Sequence, residues 1–339
     1  MYSTKAFDDE EHRLEHMLRH ARTLDAVASH NDIAGSFGWC MFDYNTHKEF
    51  GSGDRICYHG VCDMFRNKKL AGELYAIQDS KEPILALSSS MDIGDHPATN
   101  RGRVFILTNA DSVRFYLGDS FIHEYTHGSS DYPHLAYPPI EITDYIGGRI
   151  AENEDFSPKQ AEYIKDILNE SSRFGMNNLS AEAKRKAAYL TVKYGMTPDD
   201  AYRLYGKYIG NWGDKSAVFR FEAYKDGRLV KELKVAPFEK RVLTAQVDHT
   251  DLVEGVTYDV AAVRLRMTDQ NGNTLPYYFG AVRAEVSGNI ELIAEDPVLL
   301  RAGMGGLYVR TTGREGKASL TLFADGCESL TVDFSIMVR

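Results

Sequence analysis

The run His123-Glu124-Tyr125-Thr126-His127 fits H-E-x-x-H, the spacing with which two imidazoles hold a hydrolytic zinc. That chemistry needs a helix, where residues four apart share a face. Here Val113, Phe115 and Leu117 alternate into Gly118-Asp119, and Phe121, His123 and Tyr125 alternate out, which predicts a hairpin. On a strand the two imidazoles stand about 13 Å apart, too far to share a zinc that each must approach to ~2.0–2.1 Å. His12, His16 and His20 do share a helical face, but Glu11, Arg13, Glu15 and Arg19 interleave with them, as on a solvated or interface surface. Asp269, Asn271 and Asn273 have calcium-loop chemistry, yet Gly272 and the flanking strand patterns favour a hairpin. Gly303 to Gly306 lacks the following Lys-Ser/Thr of a phosphate loop and is expected to be a tight turn. Cys40, Cys57, Cys62 and Cys327 match no zinc spacing and are expected as free thiols. No cofactor and no metal is therefore expected.

The elements that carry these residues are those of a folded multidomain protein. The chain has 339 residues, 43% hydrophobic and 26% charged, close to globular averages. A formal charge of −10 with no basic run disfavours nucleic acid. No stretch approaches the roughly 18 apolar residues of a membrane helix. MYSTKAFDDEEHR has no apolar h-region, so no signal peptide is expected on this chain.

Leu14, Met17, Leu18, Ala21, Leu24 and Val27 recur three and four apart, predicting an amphipathic helix within residues 8–30. Ile33 to Tyr44 is a short apolar run, read as the buried strand of a parallel α/β unit. A second helix is expected near Lys68 to Asp79. From Pro83 the period becomes two and strands follow. Residues 157–212 read as helical, with Ser157-Pro158 and Thr197-Pro198 as N-cap and first-position signatures. From Ala217 to the end the pattern is again strand, with turns at Asp226-Gly227 and Asn271-Gly272.

Gly35 to Tyr44 (GSFGWCMFDY) and Gly53 to Lys69 (GDRICYHGVCDMFRNKK) resemble the end of the catalytic barrel of glycoside hydrolase family 2. Gly35, Trp39 and Asp43 match its eighth-strand pattern, and Gly60, Val61, Asp63 and Lys69 a later one; Lys68 stands where the family has Pro. Phe105 to Asp119 and Phe221 to Val235 resemble strands of the sandwich that follows the barrel, and residues 260–288 the last immunoglobulin-like domain. The resemblance implies a mainly β, multidomain chain. Residues 1–80 would be the incomplete C-terminal end of a (β/α)8 (TIM) barrel. Residues 81–147 plus 214–237 would form an immunoglobulin-like β-sandwich interrupted by a helical insertion at 148–213. A second sandwich would span 238–339.

The family cleaves glycosides with retention, using two carboxyl groups about 5–5.5 Å apart. Both sit on barrel strands that the resemblance places ahead of this chain, so it implies no catalytic residue here. It implies a β-galactosidase-like parent acting on carbohydrate, with the parent's N-terminal part as partner and a second copy of the chain left open. The compartment, bacterial cytoplasm or periplasm, is not decided. Trp39 is expected to touch sugar, since an aromatic face packs on the C–H face of a pyranose. Asp43 is expected to accept hydrogen bonds from sugar hydroxyls or to orient a neighbour, and Asn45, His47, Asp54, Arg55 and His59 to overhang the pocket; all six are taken as substrate-binding residues. The alternative is a non-catalytic β-sandwich module for carbohydrate or protein, with Tyr132, Tyr137 and the Tyr277-Tyr278-Phe279 run as its platform.

Overall fold

The computed structural model describes residues 3–47, 55–91, 96, 100–128, 130–211 and 217–339. Strands dominate it, and the chain divides into two compact units.

One unit comprises residues 9–36 and 73–237. Its first helix, Glu10–Ala28, starts where the Asp9 carboxylate accepts from His12 N. It buries Leu14, Met17, Leu18 and Ala21 of the expected apolar stripe, and leaves Leu24 and Val27 half-buried. His16 is buried on this helix, His20 half-buried and His12 exposed, so of the expected solvated or interface face only the His12 end meets solvent. Two neighbours four residues apart can differ in burial wherever the covering surface ends between them. A four-stranded antiparallel sheet runs in the order Ser120–Thr126, Ser112–Leu117, Phe219–Lys225, Arg228–Val235. Gly118 turns the first hairpin at φ 58°, and Asp226 and Gly227 turn the last at φ 50° and 71°, the left-handed pair a two-residue turn requires. A smaller sheet joins Leu85–Leu87, Phe105–Thr108 and Ile140–Glu141.

The helices Pro158–Phe174, Ala181–Tyr194 and Pro198–Tyr205 lie between the two halves of this sheet in sequence. Their starts follow the predicted caps: Ser157 accepts from Gln160 N, and Thr197 forms a reciprocal box with Asp200. Ile164, Leu168, Leu190 and Leu204 from these helices share one core with Phe115, Phe219 and Phe221 from the sheet. The rings of Phe115 and Phe221 stack at 4.7 Å.

The other unit comprises residues 1–8, 37–72 and 238–339. Two sheets enclose its core. One runs Val242–Val247, Val260–Thr268, Met304–Thr311, Ile290–Ile293. The second runs Asp251–Glu254, Leu330–Val338, Gly316–Ala324, Gly280–Gly288, Val298–Leu300, with its first pair parallel. Leu265, Met267, Leu307, Leu320 and Leu322 bury the space between. The turn at Gly303 (φ 68°) is as expected, but Gly305 and Gly306 continue into the strand. Neither leaves room for a side chain: a Cβ on Gly306 would stand 2.7 Å from the ring of Phe65, and one on Gly305 2.8 Å from a Leu300 methyl.

Candidate functional site

Among the described residues, the backbone of the Trp39 segment is bonded to one other stretch of chain. Cys40 to Asp43 run beside His59 to Cys62, with Val61 N donating to Cys40 O (3.0 Å), Cys62 N to Met41 O (2.9 Å) and Asp43 N to Cys62 O (3.0 Å). Phe42 and Cys62 form a parallel bridge, after which Tyr44–Asn45 pairs antiparallel with Ile56–Cys57. The buried strand expected over Ile33 to Tyr44 is not found. Residues 31–39 are exposed, and Phe37, Trp39 and Met41 point apolar side chains outward. An apolar run becomes a buried strand only when neighbours cover both faces, and among the described residues this one has a partner on one edge alone.

Asp43 and Lys69 fix the segment from beneath. Lys69 Nζ donates to Asp43 Oδ1 at 2.7 Å and to the carbonyl of Thr4 at 2.8 Å, and it approaches that of Tyr58 at 3.5 Å. The same Oδ1 accepts from Gly60 N at 2.9 Å. A Cβ on Gly60 would fall 2.2 Å from the backbone of Phe42 and Asp43, so only glycine allows the two chains this close. Burial pushes the Asp43 carboxyl up to about 6 against the opposing pull of Lys69. Burial likewise pushes the Lys69 ammonium down.

A turn follows and attaches the segment to its own unit. Asp63 accepts from Phe65 N and Asn67 N at 2.8 Å each and from Asn67 Nδ2 at 2.9 Å. Asn67 Nδ2 also donates to Gly305 O at 3.0 Å. The same device recurs at Asp269, which accepts from Asn271 N and Asn273 N at 2.8 and 2.9 Å and so forms the expected turn.

Trp39 is 64% exposed, and its indole N–H donates to Tyr44 Oη at 3.4 Å. The Trp39–Cys40 peptide is cis. Hydrogen bonding with Cys57 raises the Tyr44 phenol above its ordinary value. The Cys57 thiol lies 3.0 Å from His59 Nδ1, and burial pushes the His59 imidazole down. Of the other expected rim residues, Asn45, His47 and Arg55 are exposed, and Asp54 lies outside the described residues. The structure thus brings Trp39, Asp43 and His59 onto one pair of adjoining segments. It turns the Asp43 carboxylate inward, away from any solvent-borne ligand.

Sequence reasoning missed Tyr44, Cys57 and the inward role of Lys69; the only signal was that each falls inside the matched motifs. Elsewhere, Glu10 is buried, accepting from Ser90 N at 2.6 Å, and Glu15 bonds Arg19 and Arg22, so both are engaged structurally. His123 lies on the strand Ser120–Thr126, as expected, and the ring nitrogens of His127 lie 3.1 and 3.0 Å from the carbonyls of Pro138 and Ala110. Of the aromatics considered as a platform, Tyr132 is buried, whereas Tyr277 and Phe279 are exposed.

No family model matches the sequence. The chain is 29% identical over 325 residues to a β-galactosidase of Thermoanaerobacter pseudethanolicus, covering 94% of this chain and 36% of that protein. It is 31% identical over 306 residues to a β-galactosidase of Thermoanaerobacterium thermosulfurigenes, covering 89% and 35%. The chain therefore spans about a third of the length of these curated relatives. Its fold is similar to that of a solved β-glucuronidase from glycoside hydrolase family 2, at a TM-score of 0.54 and 13% identity, over 96% of this chain and 28% of that one. Together with the motifs around Trp39 and Lys69, these likenesses give its kinship: the chain is β-galactosidase-like in sequence and resembles the C-terminal part of glycoside hydrolase family 2 proteins in fold.

Proposed function

We propose that this chain is the C-terminal portion of a retaining glycoside hydrolase that cleaves terminal β-glycosidic bonds, with β-galactosides as the substrate class. The observation that carries the reading is the exposed indole of Trp39 on a backbone fixed by Asp43 and Lys69. In this reading residues 1–80 form the end of a (β/α)8 barrel, and residues 81–147 with 214–237 an immunoglobulin-like sandwich. Residues 148–213 are its helical insertion, and 238–339 a second immunoglobulin-like sandwich. The Trp39 ring packs against the apolar face of the sugar. Asn45, His47, Asp54, Arg55 and His59 offer hydrogen bonds at the rim, and Asp43 orients its neighbours from within.

Retention requires one carboxylic acid to protonate the leaving oxygen and a second, about 5–5.5 Å away, to attack the anomeric carbon. In this proposal both belong to barrel strands outside this chain. The engagement of Glu10 and Glu15 in structural bonds supports assigning neither of them to that pair. The partner is the remaining N-terminal part of the parent, which would cover the outward-facing Phe37 and Met41.

The test is to read the coding DNA ahead of Met1 and to assay the purified chain on an aryl β-galactoside. An open frame encoding further barrel strands, and no turnover by the chain alone, are expected. Hydrolysis by the chain, lost in Trp39→Ala, would overturn the placement of the carboxylates.

A further inference from the structure

We infer that Lys69 is a positioning residue for Trp39, acting through Asp43; this rests on reading Trp39 as the sugar platform. The side chains of Lys69 and Asp43 are only 4% and 5% exposed, so neither reaches a ligand in solvent. Their effect on a ligand must pass through what they hold.

What they hold is specific. An ammonium has three hydrogens to donate. Here Nζ faces Asp43 Oδ1, the Thr4 carbonyl and the Tyr58 carbonyl, which belong to three separate stretches of chain. Asp43 sits between the two ends of the Trp39–Tyr44 contact: Tyr44 is the next residue, and Trp39 lies four residues before it. Trp39 itself has little else to define its place. It is exposed, and the backbone bond beside it, Cys40 N to His59 O, is the longest of the ladder at 3.5 Å. The indole's orientation therefore depends on the turn Cys40 to Tyr44 keeping its shape. The bond that Gly60 N donates to Asp43 Oδ1 and the ion pair with Lys69 fix that turn from the inside, beside the bond from the Cys40 thiol to Phe42 O.

A buried ion pair is a poor device for stability alone, since apolar replacements of similar volume are often neutral or better. Breaking one partner leaves an uncompensated buried charge and forces local rearrangement. That rearrangement falls on the segment bearing Trp39.

The test follows the indole and needs no activity. The chain is produced with 5-fluorotryptophan in a Trp212→Phe background, so that one fluorine resonance reports on Trp39. Lys69→Met and Asp43→Asn are each expected to lose the separation between the folded and urea-unfolded positions of that resonance. Phe115→Ala, which lowers stability elsewhere, is expected to leave it in place. A Trp39 resonance unmoved in Lys69→Met would overturn the inference, as would one moved equally by Phe115→Ala. If Lys69→Met gives no folded circular dichroism spectrum, Asp43→Asn, which keeps the side-chain volume, decides by the same criterion. Because the readout is position, a failure here leaves the glycosidase reading standing, whereas absence of an upstream frame removes the sugar from this inference without moving the resonance.

Discussion

The ring of Phe65 rests on the Gly306 backbone so closely that a Cβ there would meet two ring carbons at 2.7 Å and the Phe65 Cβ at 2.8 Å. The contact joins the turn after the Trp39 segment to the C-terminal sheet, beside the bond from Asn67 Nδ2 to Gly305 O. A methyl group at residue 306 must push the ring aside. Gly306→Ala is expected to cost about 1–3 kcal/mol, as overpacked sites do. Urea unfolding measures it. The cost should shrink in a Phe65→Ala background, and an undiminished cost would mean the strain lies elsewhere.

Asp43 gives a pH dependence of definite sign. Burial raises its folded value to about 6, above the ordinary carboxylate value near 3.9. The folded state then binds this proton more tightly than the unfolded state. The stability that the protonated form contributes is full below about pH 4 and is lost as pH rises through about 6. The amide of Asp43→Asn does not titrate. The difference in urea midpoint, wild type minus variant, should therefore fall between pH 4 and 6 and level off above; a flat difference would refute the assignment.

Trp39→Ala removes an exposed ring that supports little of the fold. Its melting temperature should stay within the range of ordinary surface changes, about ±0.5 kcal/mol. In the longer glycosidase proposed above, the same change should lower kcat/KM by roughly tenfold or more, about 1.4 kcal/mol. Steady-state kinetics on an aryl β-galactoside provides the check.

Phe115 is fully buried, stacked at 4.7 Å on Phe221 and edge-on to Tyr145 at 6.2 Å. Phe115→Ala should cost about 3–5 kcal/mol, the range for a buried aromatic truncated to alanine. Calorimetry of the purified chain reads it as a lowered melting temperature.

The two histidines of the H-E-x-x-H run should behave differently from each other. His123 is exposed on its strand, and His123→Ala is expected within about ±0.5 kcal/mol of wild type. His127 lies within 3.1 Å of two carbonyls, and His127→Ala should cost about 0.5–1.5 kcal/mol for a lost hydrogen bond. A chelator should leave both the melting temperature and these differences unchanged. A zinc-dependent melt would reverse the strand argument.

Much of this protein was legible because its signals are local. The caps at Ser157 and Thr197, the turns at Gly118 and Gly227 and the stripe Leu14 to Ala21 depend on residues a few positions apart, and all are found. The same holds for His123: alternation over a dozen residues was enough to put it on a strand.

Burial is different, because it depends on what arrives from elsewhere in the chain. Ile33 to Tyr44 has the composition of a buried strand, yet residues 31–39 are exposed, and among the described residues Cys40 to Asp43 have a backbone partner along one edge only. His16 and His12 look alike in sequence, and one is buried while the other is not. Asp43 looks like a rim carboxylate, and only the approach of Lys69, 26 positions on, turns it into an internal anchor. Gly305 and Gly306 look like turn residues, yet they pair with Leu265 and Arg264 in a strand, and Leu300 and Phe65 leave no room for a side chain on them. The sequence by itself determined the local conformations, the hairpins and the family motif that names Trp39. The tertiary structure alone decided which polar groups face inward, since a carboxylate's role depends on the donor that meets it, and that donor comes from a distant part of the chain.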